Sequence, residues 1–205
     1  MRDTIVRHLE GNNLLNNSQH GFRRGYSCLT NLLSFLDKVT GFIDEGGSVD
    51  AIFLDFAKAF DKVPHRRLLA KIKYHGIGGK VAAWIGDWLE GRLQRVCTNG
   101  GLSGWSSVDS GVPQGSVLGP VLFLIFIDDL DEGINSWILK FADDTKTFRG
   151  IGSRQDRDQL QADLDCLCNW ASIWQMKFNS GKCKVMHIRK QNPRYEYRMD
   201  GQLLG

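Results

Sequence analysis

The chain has 205 residues, of which 42% are hydrophobic and 24% are charged, and it carries a formal net charge of +3 at pH 7. This composition is typical of a globular protein that buries a sizeable core, and it excludes fibrous and intrinsically disordered classes. The length fits one ordinary domain, or one domain with a small satellite.

The charges are unevenly distributed along the chain. Residues 56–95 hold nine Lys or Arg against three acids, residues 126–170 hold ten acids against five Lys or Arg, and residues 176–199 hold seven Lys or Arg against one Glu. A basic–acidic–basic order suits an anionic partner that lies across a site where cations collect. Charge alone favours the alternative, an ordinary mixture of solvent-facing surfaces.

The cysteines and the apolar segments exclude two further classes. The five cysteines include one C-x-C pair, but no second pair stands at a spacing typical of zinc sites. An odd count without a secretory leader predicts reduced thiols, no disulfide partner and an intracellular protein, for which nucleus and cytoplasm both stay open. The longest apolar stretch, VLGPVLFLIFI (117–127), is too short to cross a membrane and contains Pro120, so it predicts a buried helix and no membrane partner.

The first half of the chain predicts helices around one short strand, followed by a hairpin. Glycine and proline mark the ends of these segments. In order, they are two helical segments within residues 1–45, the second ended by Gly46-Gly47, the strand AIFLDF (51–56), a helical segment interrupted by Pro64 and ended by Gly76, a helix at 81–92, and a hairpin around Asn99-Gly100.

The second half predicts a core helix, two short strands and a long amphipathic helix. A turn at 113–115 opens into the core helix, and ILKFADDTKTF (138–148) predicts two strands around an acidic pair. Residues 156–174 predict the clearest helix, and KVMHI (184–188) predicts the last strand. This order predicts an α+β fold with a split βαβ arrangement, an antiparallel sheet with helices on one face. The inner face of the long helix is predicted to hold Leu160, Leu164, Leu167, Trp170 and Trp174.

Two adjacent carboxylates, Asp143 and Asp144, interrupt a β-prone run. Neighbouring side chains on a strand normally point to opposite faces, whereas at the bend of a tight hairpin both can lean toward one edge of the sheet. Their mutual repulsion is then offset if a cation lies between them. Taken alone, the pair is explained as well by a solvated hairpin turn, where Asp is common.

Asp55 is a third carboxylate on an apolar strand, and a buried acid needs a partner. Alone, it is also explained by a salt-bridged strand end. Mg²⁺ prefers oxygen ligands, and two such ions about 3.5–4 Å apart support phosphoryl transfer. Three carboxylates on short apolar strands therefore point to catalytic metal binding as strongly as to ordinary acids. The pairs Asp128-Asp129 and Asp131-Glu132 lie at a helix end and are expected to be solvent-exposed.

Five sequence blocks follow one another in a characteristic order. They are QHGFRRGYSCLTNLL (19–33), AIFLDFAKAFDKVPH (51–65), SGVPQGSVLGPVLFLIFIDDL (110–130), ILKFADDTKTF (138–148) and MKFNSGKCKVMHI (176–188). In this order they resemble the motifs of reverse transcriptases from non-LTR (LINE-type) retrotransposons, of the jockey and chicken-repeat kind. The blocks span most of the chain, and five ordered motifs are far more specific than a single F-A-D-D.

The resemblance implies an RNA-directed DNA polymerase with a palm domain built on an RRM-like antiparallel sheet. In that family, the acid of the first strand and the F-A-D-D pair hold two Mg²⁺ ions, for which Mn²⁺ can substitute. Carried onto this sequence, these catalytic and metal-binding residues are Asp55 and Asp143, expected to be indispensable, and Asp144, expected to be more tolerant. The implied reaction is attack of a DNA primer 3′-hydroxyl on the α-phosphate of a deoxynucleoside triphosphate, directed by an RNA template, with release of pyrophosphate.

The resemblance also implies contacts to the incoming nucleotide. Phe60 stands five residues after Asp55, where an aromatic ring in the family excludes a 2′-hydroxyl. A core aromatic on an amphipathic helix is the alternative explanation. Gln114 and Gly115, in a turn that begins at Pro113, are expected to contact the nascent base pair and the template.

Basic residues are implied near the triphosphate. Arg23 and Arg24 resemble the fingertip basics of the family, although many relatives have a basic residue where this chain has Tyr26. Two solvated arginines before a helix are the competing explanation. Lys182 matches a lysine that approaches the leaving pyrophosphate in the family, and Lys184 is its rival.

A basic stretch at 62–73 is expected to contact template or primer phosphates, through Lys62, Arg66 and Arg67 above all. Such contacts are independent of base sequence and sensitive to salt.

The resemblance divides the chain into partial fingers at 1–50 and a palm at 51–205, with a fingers insertion at about 66–108. The chain stops near the expected palm–thumb border, so the thumb is expected to be absent and processive synthesis to be weak or lacking. The alternative is an inactive retrotransposon remnant that retains nucleic-acid binding. A different two-metal palm enzyme, such as a nucleotide cyclase, would leave the P-Q-G block and Phe60 unexplained.

Overall fold

The computed structural model describes residues 1–205 and divides them into two compact units. The first unit consists of Met1–Leu14 and Lys58–Phe126, and the second consists of Leu15–Ala57 and Ile127–Gly205. Both units combine helices with antiparallel strand pairs, so the predicted mixed fold with an antiparallel sheet is confirmed.

The chain contains seven α-helices and ten strands, and its five cysteines are unpaired. The helices are α1 (Arg2–Gly11), α2 (Cys28–Asp44), α3 (Ala59–Lys62), α4 (His65–Tyr74), α5 (Gly79–Leu89), α6 (Gly119–Ile127) and α7 (Arg154–Trp174). The strands are β1 (Ser48–Leu54), β2 (Leu93–Gln94), β3 (Cys97–Thr98), β4 (Gly101–Leu102), β5 (Ser106–Ser107), β6 (Trp137–Phe141), β7 (Asp144–Ile151), β8 (Lys184–Ile188), β9 (Arg198–Met199) and β10 (Gln202–Leu203).

In the first unit, proline and glycine set the ends of the helices as predicted. Pro64 separates α3 from α4, because proline cannot donate the backbone hydrogen bond that a continuous helix needs. Gly76 lies beyond the end of α4 with a φ of +77°, a region that glycine adopts without steric cost. The predicted hairpin consists of two nested strand pairs, β2 with β5 and β3 with β4, around Asn99-Gly100.

Helix α6 is the predicted core helix. Residues 121–127 are all buried, with at most 4% of any of them exposed. A helix that is apolar on every side is stable only when protein or lipid surrounds it. None of the helices in the structure combines the length and the apolar character needed to span a bilayer.

The second unit is built on a four-stranded antiparallel sheet in the order β6-β7-β1-β8. Ala51 of the inner strand β1 lies opposite Phe148 of β7 on one side and Met186 of β8 on the other. Strand β8 has the predicted bounds, whereas β1 ends at Leu54. Asp55 is therefore the first residue beyond an inner strand of the sheet.

Helix α2 covers one face of this sheet. Its residues Phe35 and Val39 pack with Val49, Ala51 and Phe148. Successive side chains of β1 point to opposite faces, so Val49 and Ala51, two positions apart, share the face that α2 covers.

The other face of the sheet is also buried, and α7 packs against β7. Ile52, Leu54 and Thr147 on this face are each at most 3% exposed. The structure differs here from the predicted arrangement with helices on one face only. The physical reason is visible in β1, where apolar residues occupy consecutive positions, as a strand covered on both faces requires.

Candidate active site

The end of β1 and the start of β7 bring two of the predicted carboxylates together. Leu54, the last residue of β1, pairs with Thr145 of β7. Asp55 follows Leu54 and Asp144 precedes Thr145, so the two acids lie at the same end of this strand pair.

Asp143 lies in the tight turn between β6 and β7. Phe141 pairs with Asp144, which leaves Ala142 and Asp143 as the two central residues of the hairpin. Ala142 has a φ of +55°, in the left-handed region that residues with a Cβ atom rarely adopt. The acidic pair thus occupies a turn position and a strand start, and this explains how two adjacent acids both lie near Asp55.

Asp143 lies within the electrostatic field of the other two carboxylates. Asp143 is partly buried, whereas Asp144 is exposed. Partial burial raises the pKa of Asp143 above its ordinary value, and the negative charges of Asp144 and Asp55 raise it further. The site therefore favours any cation that neutralises these groups.

Asp55 has an oxygen without a hydrogen-bond partner in the protein. Its Oδ2 atom is shielded from solvent and accepts no hydrogen bond, although 33% of the side chain as a whole is exposed. The ammonium nitrogen of Lys182 lies 3.5 Å from this oxygen, close enough for an ion pair but long for a hydrogen bond. A shielded, unsatisfied carboxylate oxygen is costly, so its presence points to a ligand.

The carboxylates fit a hard divalent cation as partial ligands. No group of three or more His, Cys, Asp or Glu side chains in the structure is arranged to hold a metal ion by itself. Mg²⁺ is usually bound by one or two carboxylates together with water and substrate phosphates, so a complete protein cage is not required. The unsatisfied oxygen of Asp55 and the repulsion felt by Asp143 are the features that fit such an ion.

A tight turn carries Lys182 to the end of β1. The backbone amide of Asn179 donates to the Asp55 carbonyl oxygen at 2.7 Å, and the amide of Lys182 donates to the Asn179 carbonyl oxygen at 2.9 Å. The rival Lys184 lies within β8, opposite Phe53. Of the two lysines, Lys182 is the one that the structure brings into contact with Asp55.

The two predicted fingertip arginines differ in their contacts. The guanidinium group of Arg23 donates to the carbonyl oxygens of Asn16 at 2.7 Å and Gln19 at 3.3 Å, and it lies over the ring of Tyr26. Arg24 is exposed. Arg23 therefore holds its own loop together, and Arg24 is the member of the pair that faces solvent.

In the first unit, Phe60 and the P-Q-G turn are held by the same short helix, α3. Phe60 is partly exposed and stacks on Phe123, with ring centroids 4.3 Å apart. The side-chain amide of Gln114 donates to Oδ1 of Asp61 at 2.9 Å, and the backbone amide of Val112 donates to the Phe60 carbonyl oxygen at 2.8 Å. These contacts fix the turn against the helix that carries Phe60.

An open cleft of about 610 Å³ lies beside this turn in the first unit. Its lining includes the cations Lys62 and Arg92 together with Pro113 and Gln114. Gly115 follows with a φ of +78°, which glycine adopts readily. The lining also holds two acids, so the cleft offers both charges beside a backbone turn, and its cations are the groups suited to phosphate.

The basic stretch is only partly available at the surface of the first unit. Lys62 and Arg66 are exposed, and Arg67 is partly exposed. Lys71 is 5% exposed and donates to the carbonyl oxygen of Phe126. Lys71 therefore stabilises the fold, and the remaining cations of the stretch are those that can meet a partner.

Two of the four acids that follow α6, Asp129 and Asp131, are partly buried and bind other side chains, contrary to the prediction that these acids are solvent-exposed. Asp131 forms an ion pair with Lys140, which is fully buried. Asp129 accepts a hydrogen bond from the indole nitrogen of Trp170 at 2.8 Å. Glu132 is exposed, as predicted. The available signal was Lys140, which interrupts an apolar strand and requires a buried anionic partner.

Lys146 lies two residues after Asp144, on the same face of β7, and was not predicted from the sequence. Its ammonium group donates to the side-chain oxygen of Asn31. Partial burial lowers the pKa of Lys146, and the charge of Asp144 acts in the opposite direction. With Asn31 and Asp144, Lys146 lines a cavity of about 310 Å³ in the second unit.

Asp50, near the other end of β1, was also missed. It is fully buried and accepts hydrogen bonds from Nδ1 of His187 at 2.7 Å, Nδ2 of Asn192 at 2.8 Å and the hydroxyl of Tyr197 at 2.7 Å. Burial and the hydrogen bond to Asp50 raise the pKa of Tyr197 above its ordinary value. This network ties the segment after β8 to the sheet.

The sequence matches the family described as reverse transcriptase (RNA-dependent DNA polymerase) over residues 1–199. It is 30% identical over 201 residues to the probable RNA-directed DNA polymerase from transposon X-element of Drosophila melanogaster, covering 93% of this chain and 22% of that protein. It is 33% identical over 175 residues to the RNA-directed DNA polymerase from mobile element jockey of Drosophila funebris, covering 80% of this chain and 19% of that protein. The chain thus spans about a fifth of the length of these curated relatives.

The fold is similar to that of solved telomerase structures. Apo telomerase from Candida tropicalis, truncated from its C-terminal domain, is 13% identical with a TM-score of 0.64, covering 98% of this chain and 41% of that one. Telomerase from the same organism with a TWJ fragment of telomeric RNA is 12% identical with a TM-score of 0.66, covering 93% and 34%. Because the family match covers residues 1–199 and the relatives are mobile-element polymerases, the chain belongs to the reverse transcriptase family, in the group of non-LTR retrotransposons.

Proposed function

We propose that this chain carries the catalytic centre of an RNA-directed DNA polymerase, which extends a DNA primer with deoxynucleoside triphosphates on an RNA template. One observation supports the proposal above the others. Asp55, Asp143 and Asp144 lie together at one end of the inner strands β1 and β7, and an Asp55 oxygen there has no hydrogen-bond partner. The family membership supplies the reaction class.

In this proposal Asp55 and Asp143 are the indispensable ligands of two Mg²⁺ ions, which Mn²⁺ can replace, and Asp144 is the more tolerant ligand. When bound, the ions stabilise the attacking and leaving oxygens of the transferred phosphoryl group. The protein's own part is to hold the carboxylates in advance, so that little reorganisation is needed when substrate arrives. The exposure of Asp144 supports its lesser role, because water can replace an exposed ligand most easily.

Lys182 is proposed to neutralise the leaving pyrophosphate. Its position 3.5 Å from Asp55 supports this role, and 68% of its side chain is exposed, so it can move between the carboxylate and a phosphate. Arg23 and Arg24 are proposed to approach the triphosphate from the neighbouring loop. The solvent-facing Arg24 is the better placed of the two for a direct contact.

Nucleotide selection is assigned to residues of the first unit. Phe60 is proposed to exclude a 2′-hydroxyl, and its partly exposed ring, backed by Phe123, supports this. Pro113, Gln114 and Gly115 are proposed to contact the nascent base pair and the template. The positive φ of Gly115 and the open cleft beside the turn are consistent with close approach of a ligand.

Lys62, Arg66 and Arg67 are proposed to bind template or primer phosphates, in contacts that weaken as salt concentration rises. The proposal keeps the palm at 51–205, with a split βαβ, RRM-like sheet, and partial fingers at 1–50 with an insertion at about 66–108. The strand order β6-β7-β1-β8 and the similarity to telomerase folds support this assignment.

The test is incorporation of labelled deoxynucleotides on a primed RNA template with Mg²⁺, comparing the wild-type chain with Asp143→Asn. Asp37→Asn is the matched control, because Asp37 is an exposed acid of the same unit, on α2. We expect label in the wild type and the control, and none with Asp143→Asn. Absence of label from all three, with template–primer still bound, would support the alternative of an inactive remnant.

A further inference from the structure

The side chain of Gln19 is buried against the turn that carries Asp143. Gln19 is 1% exposed, and its Oε1 atom accepts hydrogen bonds from the backbone amides of Ala142 at 2.8 Å and Gly21 at 2.7 Å. Its Nε2 atom donates to the carbonyl oxygen of Ala142 at 3.1 Å. Both polar ends of one amide group thus bind the backbone of the same turn residue.

Ala142 requires such support because its backbone is in an unfavourable region. At a φ of +55° the Cβ atom of an L-residue crowds its own backbone, which glycine avoids and alanine does not. A non-glycine residue keeps this conformation only where surrounding contacts hold it. The hydrogen bonds from Gln19 provide that contact directly at Ala142.

The segment that carries Gln19 is itself fixed to the edge of β6. The backbone amide of Lys140 donates to the Ser18 carbonyl oxygen at 2.8 Å, and the amide of His20 donates to the Lys140 carbonyl oxygen at 2.8 Å. A Cβ atom added at Gly21 would overlap the backbone nitrogen of Ala142. Only glycine therefore lets the segment lie directly against the turn.

We infer that Gln19 is a positioning residue for Asp143: it holds the Ala142 backbone so that the carboxylate of the next residue stays beside Asp55. The inference rests on the proposed function, in which Asp143 binds a divalent cation. Asp55, Asp143 and Asp144 carry like charges, so without the hydrogen bonds between Gln19 and Ala142 the turn would relax away from Asp55. Gln19 acts through Ala142 and touches neither metal nor substrate.

The test measures Mn²⁺ binding by electron paramagnetic resonance, alongside thermal unfolding, in the full 205-residue chain. Gln19→Met keeps the side-chain volume and removes all three hydrogen bonds. We expect Mn²⁺ affinity to fall about 10-fold or more, the usual effect of losing a group that orients a metal ligand. In the incorporation assay, the Mg²⁺ concentration for half-maximal rate should rise by a similar factor.

Asn192→Leu is the matched control, because Asn192 is a buried amide of the same unit that binds Asp50 and the Val49 carbonyl oxygen. It should lower the melting temperature but leave Mn²⁺ affinity unchanged. If Gln19→Met does not fold, Gln19→Asn serves instead, since its shorter side chain draws the same amide away from Ala142.

Unchanged Mn²⁺ affinity in a folded Gln19 variant, with weakened binding by Asp143→Asn, would overturn this inference and leave the proposed function intact. If Asp143→Asn binds Mn²⁺ as well as the wild type does, the proposed function fails and this inference fails with it. A loss of affinity of equal size in the Gln19 and Asn192 variants would also overturn it, because the effect would then follow stability alone.

Discussion

Two carboxylates, Asp50 near the start of strand β1 and Asp55 just after its end, differ in the hydrogen bonds that they accept. Asp50 is fully buried and has three hydrogen-bond donors, from His187, Asn192 and Tyr197. Asp55 is more exposed, yet one of its oxygens is shielded and accepts no hydrogen bond, with Lys182 3.5 Å away. Both acids have an oxygen shielded from solvent, so shielding alone does not distinguish the acid proposed to bind metal from the acid that stabilises the fold.

The two acids differ in how many hydrogen bonds each carboxylate accepts from the protein. A buried acid with all its acceptor positions used stabilises the fold and has nothing left to offer a ligand. A shielded carboxylate oxygen that accepts no hydrogen bond destabilises the fold, and binding of a cation offsets that destabilisation. Substitution of Asp by Asn should therefore reduce mainly activity at Asp55 and mainly stability at Asp50.

The largest expected effect is on the activity of a variant at Asp55, whose Oδ2 atom accepts no hydrogen bond. Asp55→Asn should reduce template-primed nucleotide incorporation on the order of 10³-fold, because it removes a charged ligand of the ions that are proposed to stabilise the transition state. Its melting temperature without metal should stay within about 1 °C of the wild type, since no hydrogen bond to Oδ2 is lost. Incorporation rates and thermal unfolding measured on one preparation check both parts; a large loss of stability would contradict the comparison.

The next largest effect is on the stability of a variant at Asp50, whose carboxylate accepts three hydrogen bonds. Asp50→Asn should destabilise the fold by about 2–3 kcal/mol, because its new NH₂ group faces a donor and the charge-assisted hydrogen bonds are lost. For a chain of this size that corresponds to a fall in melting temperature of roughly 5–10 °C. Circular dichroism during heating measures it. A change of less than about 1 °C would mean that the network around Asp50 is not what holds this end of the sheet.

The smallest effect concerns Asp143, whose pKa is raised chiefly by burial and further by Asp144 and Asp55. A raised pKa in the folded state means that protonation of Asp143 favours folding. The stability that the protonated carboxyl contributes is present below about pH 4 and is lost as pH rises through the folded pKa. At pH 7 the ionised carboxylate therefore opposes folding. Asp143→Asn should raise the melting temperature by up to about 2 °C at pH 7 in EDTA.

The pH dependence separates this electrostatic effect from general repacking. The gain in melting temperature from Asp143→Asn should shrink as the pH is lowered toward 4, and Mg²⁺ should raise the melting temperature of the wild type but not of the variant. A gain that is the same at both pH values would show that charge at Asp143 is not its source.

Local signals in the sequence predicted many of the elements. Strand β8 has the predicted bounds because it is a short β-prone run, and α2 ends just before the predicted Gly46. Helix α7 begins at Arg154, two residues before the predicted start, because Ser153 and Asp156 form a capping box there. Apolar periodicity alone does not reveal where such a cap lies.

Contacts between distant residues were not predictable in the same way. Asp50 meets Tyr197 across 147 positions of sequence, and Gln19 meets Ala142 across 123. Neither residue type indicates such a partner, because Asp and Gln are ordinarily solvent-exposed. The buried pair of Lys140 and Asp131 left a clearer sign, a lysine inside an apolar strand, but the identity of its partner depends on the tertiary fold.

The short segment beside β6 has a consequence for the behaviour of the chain in solution. A strand at the border of a sheet offers unpaired backbone groups to any similar strand of another molecule, which is a common start of aggregation. Here the hydrogen bonds between Ser18, His20 and Lys140 occupy part of that border, and Val185 of β8 donates to Gly205 at the opposite border. Deleting residues 15–20 would uncover the β6 side, and such a chain should precipitate or self-associate at concentrations where the intact chain stays dispersed.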